Sequence, residues 1–144
     1  MIKKLVISLL ICFSVQADKI DDWNTVRLEF HRLSLDKINK DIKLKSLDRR
    51  VKSLYIKLDE LFKRNAEMKK LVASLKGKLG KDRQVVIKKI NALQDKLIAS
   101  DALLAEEQKE IIEKINTLNE EIYVELMKDP KLVELESKLK KLEK

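Results

Sequence analysis

Residues 44–80 read LKSLDRRVKSLYIKLDELFKRNAEMKKLVASLKGKLG, and their apolar positions decide the fold. Leu44, Leu47, Val51, Leu54, Leu58, Leu61, Met68, Val72, Leu75 and Leu79 recur at alternating steps of three and four, with Asn65 filling the place between Leu61 and Met68. A strand shows every second residue to one side, so this pattern belongs to a helix carrying a coiled-coil seam. The stretch closes on Gly77-Lys78-Leu79-Gly80, where two glycines offer the positive φ that stops a helix and reverses the chain.

Working outward, Val86, Ile90, Leu93, Leu97 and Leu104 form a second seam, which resumes in shifted phase as Ile111, Ile115, Leu118 and Ile122. The phase change between Asp101 and Gln108 predicts a stutter within one continuous helix. Asp129-Pro130 ends that helix and opens another, since proline suits the first helical position behind an Asp cap. Leu132, Leu135, Leu139 and Leu142 then mark a short amphipathic helix.

In the other direction the first seam extends through Leu33, Phe30, Val26 and Trp23, while Leu35, Ile38 and Ile42 fall out of phase. That mismatch predicts a kink, or a break capped by Ser34, near residues 34–36. The expected architecture is all-α. A helical segment at 18–34 precedes a long antiparallel coiled-coil hairpin at 35–128 with its turn at 77–82, and an amphipathic helix at 129–144 follows. The two short terminal helices are expected to pack together at the hairpin's open end.

Composition agrees with this reading. Two glycines, one proline and 4% aromatic residues in 144 are too few for the turns and filled layers of a sheet protein, while 39% charged and 44% hydrophobic residues suit helices that bury one stripe.

The first residues read differently. Lys3 and Lys4 precede an apolar run over residues 5–15 that ends in the small-residue site Val15-Gln16-Ala17, the pattern of a cleavable signal peptide at 1–17. As helix the run would span only about 16 Å of a ~30 Å hydrocarbon core, so a membrane anchor is not expected. Cys12, the one cysteine, follows Ile11, where a lipidation site wants a small residue, so no lipid anchor through Cys12 is expected either. Its removal leaves no thiol for disulfides, metal ligation or nucleophilic catalysis. The expected location is exported, in the periplasm or at the cell surface.

The chain carries 32 basic and 24 acidic residues, and only Lys3 and Lys4 lie before Asp18, so the processed chain keeps +6. Lys69, Lys70, Lys76, Lys78, Lys81, Arg83, Lys88 and Lys89 against Glu67 and Asp82 also give +6, which places the whole excess at the turn. Such a basic turn fits an anionic lipid or an envelope polymer. Nucleic acid is not expected, because no aromatic residue interleaves the lysines to stack on bases. A solvated turn that only keeps the protein soluble is the plainer reading of the same residues.

A hairpin centred on 77–82 would set residue i against 159 − i, so Arg49 would face Glu110 and the basic first arm would meet Glu106, Glu107 and Glu113. The same relation sets Asn65 against Gln94, a buried amide pair that would fix register. Trp23, Phe30, Tyr55 and Phe62 widen the apolar face beyond a two-helix seam and are candidates for packing or for contact with a partner or a second copy. His31 stands alone, the carboxylates have lysine counterions nearby, and the serines lack a nucleophile elbow. No enzyme, cofactor, metal or small-molecule substrate is expected.

In architecture the hairpin looks like that of fusobacterial hairpin adhesins and of OmpH-type periplasmic chaperones with basic helical tentacles. The likeness covers the hairpin alone and transfers no residue; the chaperones add strands that build a trimeric body, and no strand-like run occurs here. It implies a non-enzymatic coiled-coil interaction protein of the bacterial envelope, structural, adaptor or adhesin-like. The alternatives are a periplasmic holdase, or a protein that binds an anionic membrane or polymer through its basic tip.

Overall fold

The computed structural model describes the backbone of residues 17–143 and the side chains of residues 20–143, so the segment expected to be a signal peptide lies, up to Gln16 and with Cys12, outside the described residues. The protein is all-helical. In order come α1 (Ala17–Lys40), α2 (Ile42–Lys63), α3 (Ala66–Ala73), α4 (Gly80–Ser100), α5 (Ala102–Leu126) and α6 (Pro130–Leu142), with no strand among the described residues.

One local rule sets most of the helix starts. The first N–H groups of a helix have no carbonyl behind them, and an Asp or Asn side chain can accept one of them. Asp41 Oδ1 accepts the Leu44 N–H at 2.9 Å, Asn65 Oδ1 that of Met68 at 3.0 Å, and Asp101 Oδ1 those of Leu103 and Leu104 at 3.1 Å. Asp129 Oδ1 accepts the Lys131 N–H at 2.9 Å, with Pro130 in the first turn as expected. Three residues beyond the cap stands an apolar side chain in every case: Leu44, Met68, Leu104 and Leu132. Three of these, with Leu126, are the most deeply buried large side chains, each about 1% exposed. Cap and anchor act together, the acceptor fixing where the helix begins and the buried residue fixing which way it faces.

This rule relocates several expected features. The first break falls at Asp41, not near Ser34; Ser34 lies within α1, buried, and its hydroxyl makes no hydrogen bond. Asp41 still donates its N–H to Lys37 O and its carbonyl accepts from Lys45 N, so helical hydrogen bonding carries across this one-residue break without a loop. The first arm is interrupted again at residues 64–65. The phase change near Asp101 is a break, not a stutter, because Asp101 is extended at φ −132° and ψ 101°. The reversal occupies residues 74–79, earlier than 77–82, and α4 already begins at Gly80.

The chain divides into two units. One holds the described residues up to Val51 and from Asn116 onward, and the other holds Lys52–Ile115. In the first, α1 packs along α6. Trp23, Leu44, Leu47, Leu118, Ile122, Leu126, Leu132 and Leu135 are its buried apolar residues, joined by Val51. Lys37 pairs with Asp129 at 3.4 Å, Lys131 with Glu29 at 3.5 Å, and Lys43 bonds Glu125. The Tyr123 hydroxyl donates to Glu136 Oε1 at 2.6 Å. Each buried leucine contributes about 1.5–3 kcal/mol and an exposed ion pair about 0–1 kcal/mol, so the apolar contacts hold this unit and the ion pairs orient it.

In the second unit α3 packs on α4 across the turn. Phe62, Met68 and Leu93 form its core, covered by Leu58, Leu71, Val72, Ile90, Leu97, Ile98 and Leu104. Arg64 pairs with Glu107 at 3.2 Å, whereas the single expected register would have set it against Asp95. Glu110 and Glu113 pair with Lys114 and Lys109 of their own helix. One register constant requires two unbroken arms, and the breaks at Asn65 and Asp101 remove that condition.

Candidate functional site

The most distinctive surface is the turn from α3 to α4. Helix α3 unwinds through successive tight bonds: Leu75 N donates to Val72 O at 3.1 Å, Lys76 N to Ala73 O at 3.3 Å and Lys78 N to Leu75 O at 3.1 Å. Ser74 Oγ adds a bond to Leu71 O at 2.7 Å. Gly77 at φ +76° and Gly80 at φ +52° then reverse the chain. Both conformations are strained for residues with a Cβ, which is why glycine stands at each. Between them Leu79 is extended and 82% exposed.

All eight expected cations of this region are exposed. None of them forms an ion pair among the described residues, and neither do Glu67 and Asp82. Charges elsewhere are commonly satisfied within the chain, as in Lys63–Asp59, Lys138–Glu134 at 2.7 Å and Lys140–Glu136 at 3.2 Å. The turn is therefore a dense run of positive charge that is left without an ion pair among the described residues.

The other candidates scatter. Trp23 is buried in the first unit with the Arg27 guanidinium 5.3 Å from its ring centroid, and Phe30 is half-buried. Phe62 is buried in the second unit while Tyr55 is 47% exposed. The four aromatic residues thus serve two separate units. Asn65 spends its side chain as the cap of α3, and it lines a different cleft from Gln94. His31 and Glu106, Glu107, Glu110 and Glu113 are exposed.

Two open clefts flank Phe62. One, about 240 Å³, is lined by Met68, Val72, Leu75, Ile87 and Ile90, and the other, about 320 Å³, by Leu61, Leu97, Leu103 and Leu104 with Arg64 and Glu107 at its rim. Neither gathers catalytic groups. The perturbed side chains lie in the first unit, and each has a local cause. The Lys128 ammonium, then that of Lys43, holds the Glu125 carboxyl down at about 2. Burial, then the bond to Glu136, pushes the Tyr123 hydroxyl up to about 12. The Lys131 backbone N–H, ahead of Lys37, lowers Asp129, and Lys138 lowers Glu134. Among the described residues no group of three or more His, Cys, Asp or Glu side chains is placed to hold a metal ion, and no helix is long and apolar enough to cross a membrane.

One surface escaped the sequence reading. Helix α1 buries Trp23 and Ser34 on one side, yet Ile20, Leu28 and Leu35 are 41%, 60% and 46% exposed, and Ile42 just beyond is 89% exposed. With Asn24, His31 and Ile38 these follow steps of three and four, a second seam beside the buried one. The signal was the out-of-phase set Leu35, Ile38 and Ile42, which marks a second face as well as the break at Asp41. No protein-family model, curated protein or solved structure matches the chain.

Proposed function

We propose that this chain is a non-enzymatic helical interaction protein of the bacterial cell envelope, exported by its N-terminal segment and acting as a structural, adaptor or adhesin-like component. The observation that carries the reading is the doubled apolar face of α1. A helix that lies on one neighbour needs one apolar stripe, and α1 has two, of which only one is covered. The exposed stripe has the spacing of a coiled-coil seam, so it fits a helix from a partner or from a second copy.

A long coiled-coil hairpin belongs to this proposal. It is supported by the heptads on both sides of the turn and by cross-helix pairs inside each unit, Lys43–Glu125 in one and Arg64–Glu107 in the other. The test is the assembly state of the processed chain in solution, with Leu28→Lys and Leu35→Lys together as the comparison. Assembly should be lost in the double variant while its melting temperature stays within a few degrees, because both side chains are already exposed. A processed chain that stays monomeric and captures no envelope protein by photocrosslinking from α1 defeats the reading.

A second reading, a holdase for unfolded clients, is favoured by the paired clefts beside Phe62, whose apolar walls could take client side chains. It requires stoichiometric suppression of client aggregation by the processed chain. Unchanged client aggregation removes it.

A further inference from the structure

We propose that the α3–α4 turn docks end-on against the headgroups of an anionic lipid bilayer, with Leu79 entering the interfacial layer and the lysines around it resting against phosphates. The proposal is independent of the α1 seam and uses different residues.

Three observations carry it. The first is charge: eight exposed cations within residues 69–89 meet no counterion among the described residues, and Glu67 and Asp82 offset only two of them. Basic residues near an anionic leaflet each strengthen binding by about fivefold. The second is shape. A Cβ placed on Gly77 or Gly80 would meet nothing within 4 Å, so both glycines border open space. The third is the apolar residue at that point. Leu79 is the most exposed large apolar side chain of its unit and sits between Lys78 and Lys81, and Val85, 52% exposed, shares a face of α4 with Lys81 and Lys88.

These features choose among anions. A soluble polyanion rewards charge alone and gives no place to Leu79. A bilayer rewards both, because the leucine enters the acyl boundary while the long lysine stems reach back to the phosphates. Seven of the eight cations are lysines, point charges suited to a diffuse headgroup layer, where arginine would favour fixed bidentate geometry. Bases of nucleic acid would need an aromatic platform, and residues 66–100 contain none. The contact is end-on because Val86 and Leu93, the inner face of α4, are already buried in the protein's own core.

The test is co-sedimentation of the chain from Asp18, which keeps the described core residues and lacks the apolar run at 5–15, with phosphatidylcholine vesicles that do or do not contain phosphatidylglycerol. Binding should require phosphatidylglycerol and weaken steeply with salt. Lys78→Gln and Lys81→Gln should each weaken it about fivefold. Leu79→Ser should weaken it about tenfold, at an unchanged melting temperature, because the side chain contacts little in the folded protein. Absence of binding at low salt overturns the proposal. So does full binding by Leu79→Ser together with complete competition by inorganic polyphosphate, since the partner would then be any polyanion.

Discussion

Replacing Asn65 by leucine separates two physical roles for this residue. As a buried polar member of a coiled-coil seam, Asn65 would cost stability in exchange for register, and leucine would stabilise the protein. As a helix cap it does the opposite. Its Oδ1 accepts the Met68 N–H at 3.0 Å, its own N–H donates to Phe62 O at 3.1 Å, and its backbone carbonyl accepts from Lys69 N at 3.0 Å. Only the first of these bonds is lost with the side chain. Losing a cap costs about 0.5–2 kcal/mol. The loss falls on an eight-residue helix whose anchor, Met68, is 1% exposed in the core beside Phe62 and Leu93. We expect Asn65→Leu and Asn65→Ala each to lower stability by about 1 kcal/mol, or about 4–8 °C in melting temperature for a unit of this size. Asn65→Asp should keep wild-type stability, because the carboxylate retains the acceptor and suits the helix N-terminus. Urea titration of all three, with sedimentation velocity for assembly state, reads the result. A stabilised Asn65→Leu, or an Asn65→Asp as weak as alanine, would refute the capping account.

In the first unit, Leu132→Ala should cost about 2–5 kcal/mol by urea denaturation, since Leu132 is 1% exposed and follows the Asp129 cap. Gly77→Ala should cost about 1 kcal/mol despite open space around it, because the penalty comes from φ +76° and not from a clash; Ser74→Ala, a change in the same turn without that demand, is the comparison for thermal melting. Stability should also fall at both pH extremes. Glu125 is held at about 2 against an ordinary 4.5, so its contribution is full above about 4.5 and fades as pH drops toward 2. Tyr123 is raised from 10.0 to about 12, so its contribution is full below 10 and fades as pH climbs toward 12. Urea midpoints measured against pH should show a shallower acid limb in Glu125→Gln and a shallower alkaline limb in Tyr123→Phe.

Much of this was legible in the chain. The three-and-four spacing from Leu44 onward gave helix, Gly77 and Gly80 marked the reversal, and Asp129-Pro130 marked the last helix start, since each acts through its own backbone and nearest neighbours. The pattern of Asp or Asn followed three residues later by an apolar side chain was equally present at residues 41, 65 and 101, but a cap inside a periodic helix looks the same in sequence as a polar seam residue or a slip of phase. At the candidate site the eight cations were visible as letters. Their lack of counterions was not, because that depends on where every carboxylate ends up.

The sequence by itself determined that the protein is helical, that its chain reverses around Gly77 and Gly80 and that it carries an excess of positive charge, all consequences of periodicity, backbone freedom and composition. That α1 lies along α6 agrees with the expectation that the terminal helices pack together; only the tertiary structure decided that Phe62 belongs to the core while Tyr55 does not, and that a second seam on α1 and Leu79 at the turn are left open. Burial is a property of pairs of surfaces. One helix's apolar stripe names a face that wants covering, and which neighbour covers it is settled by the packing of the whole chain.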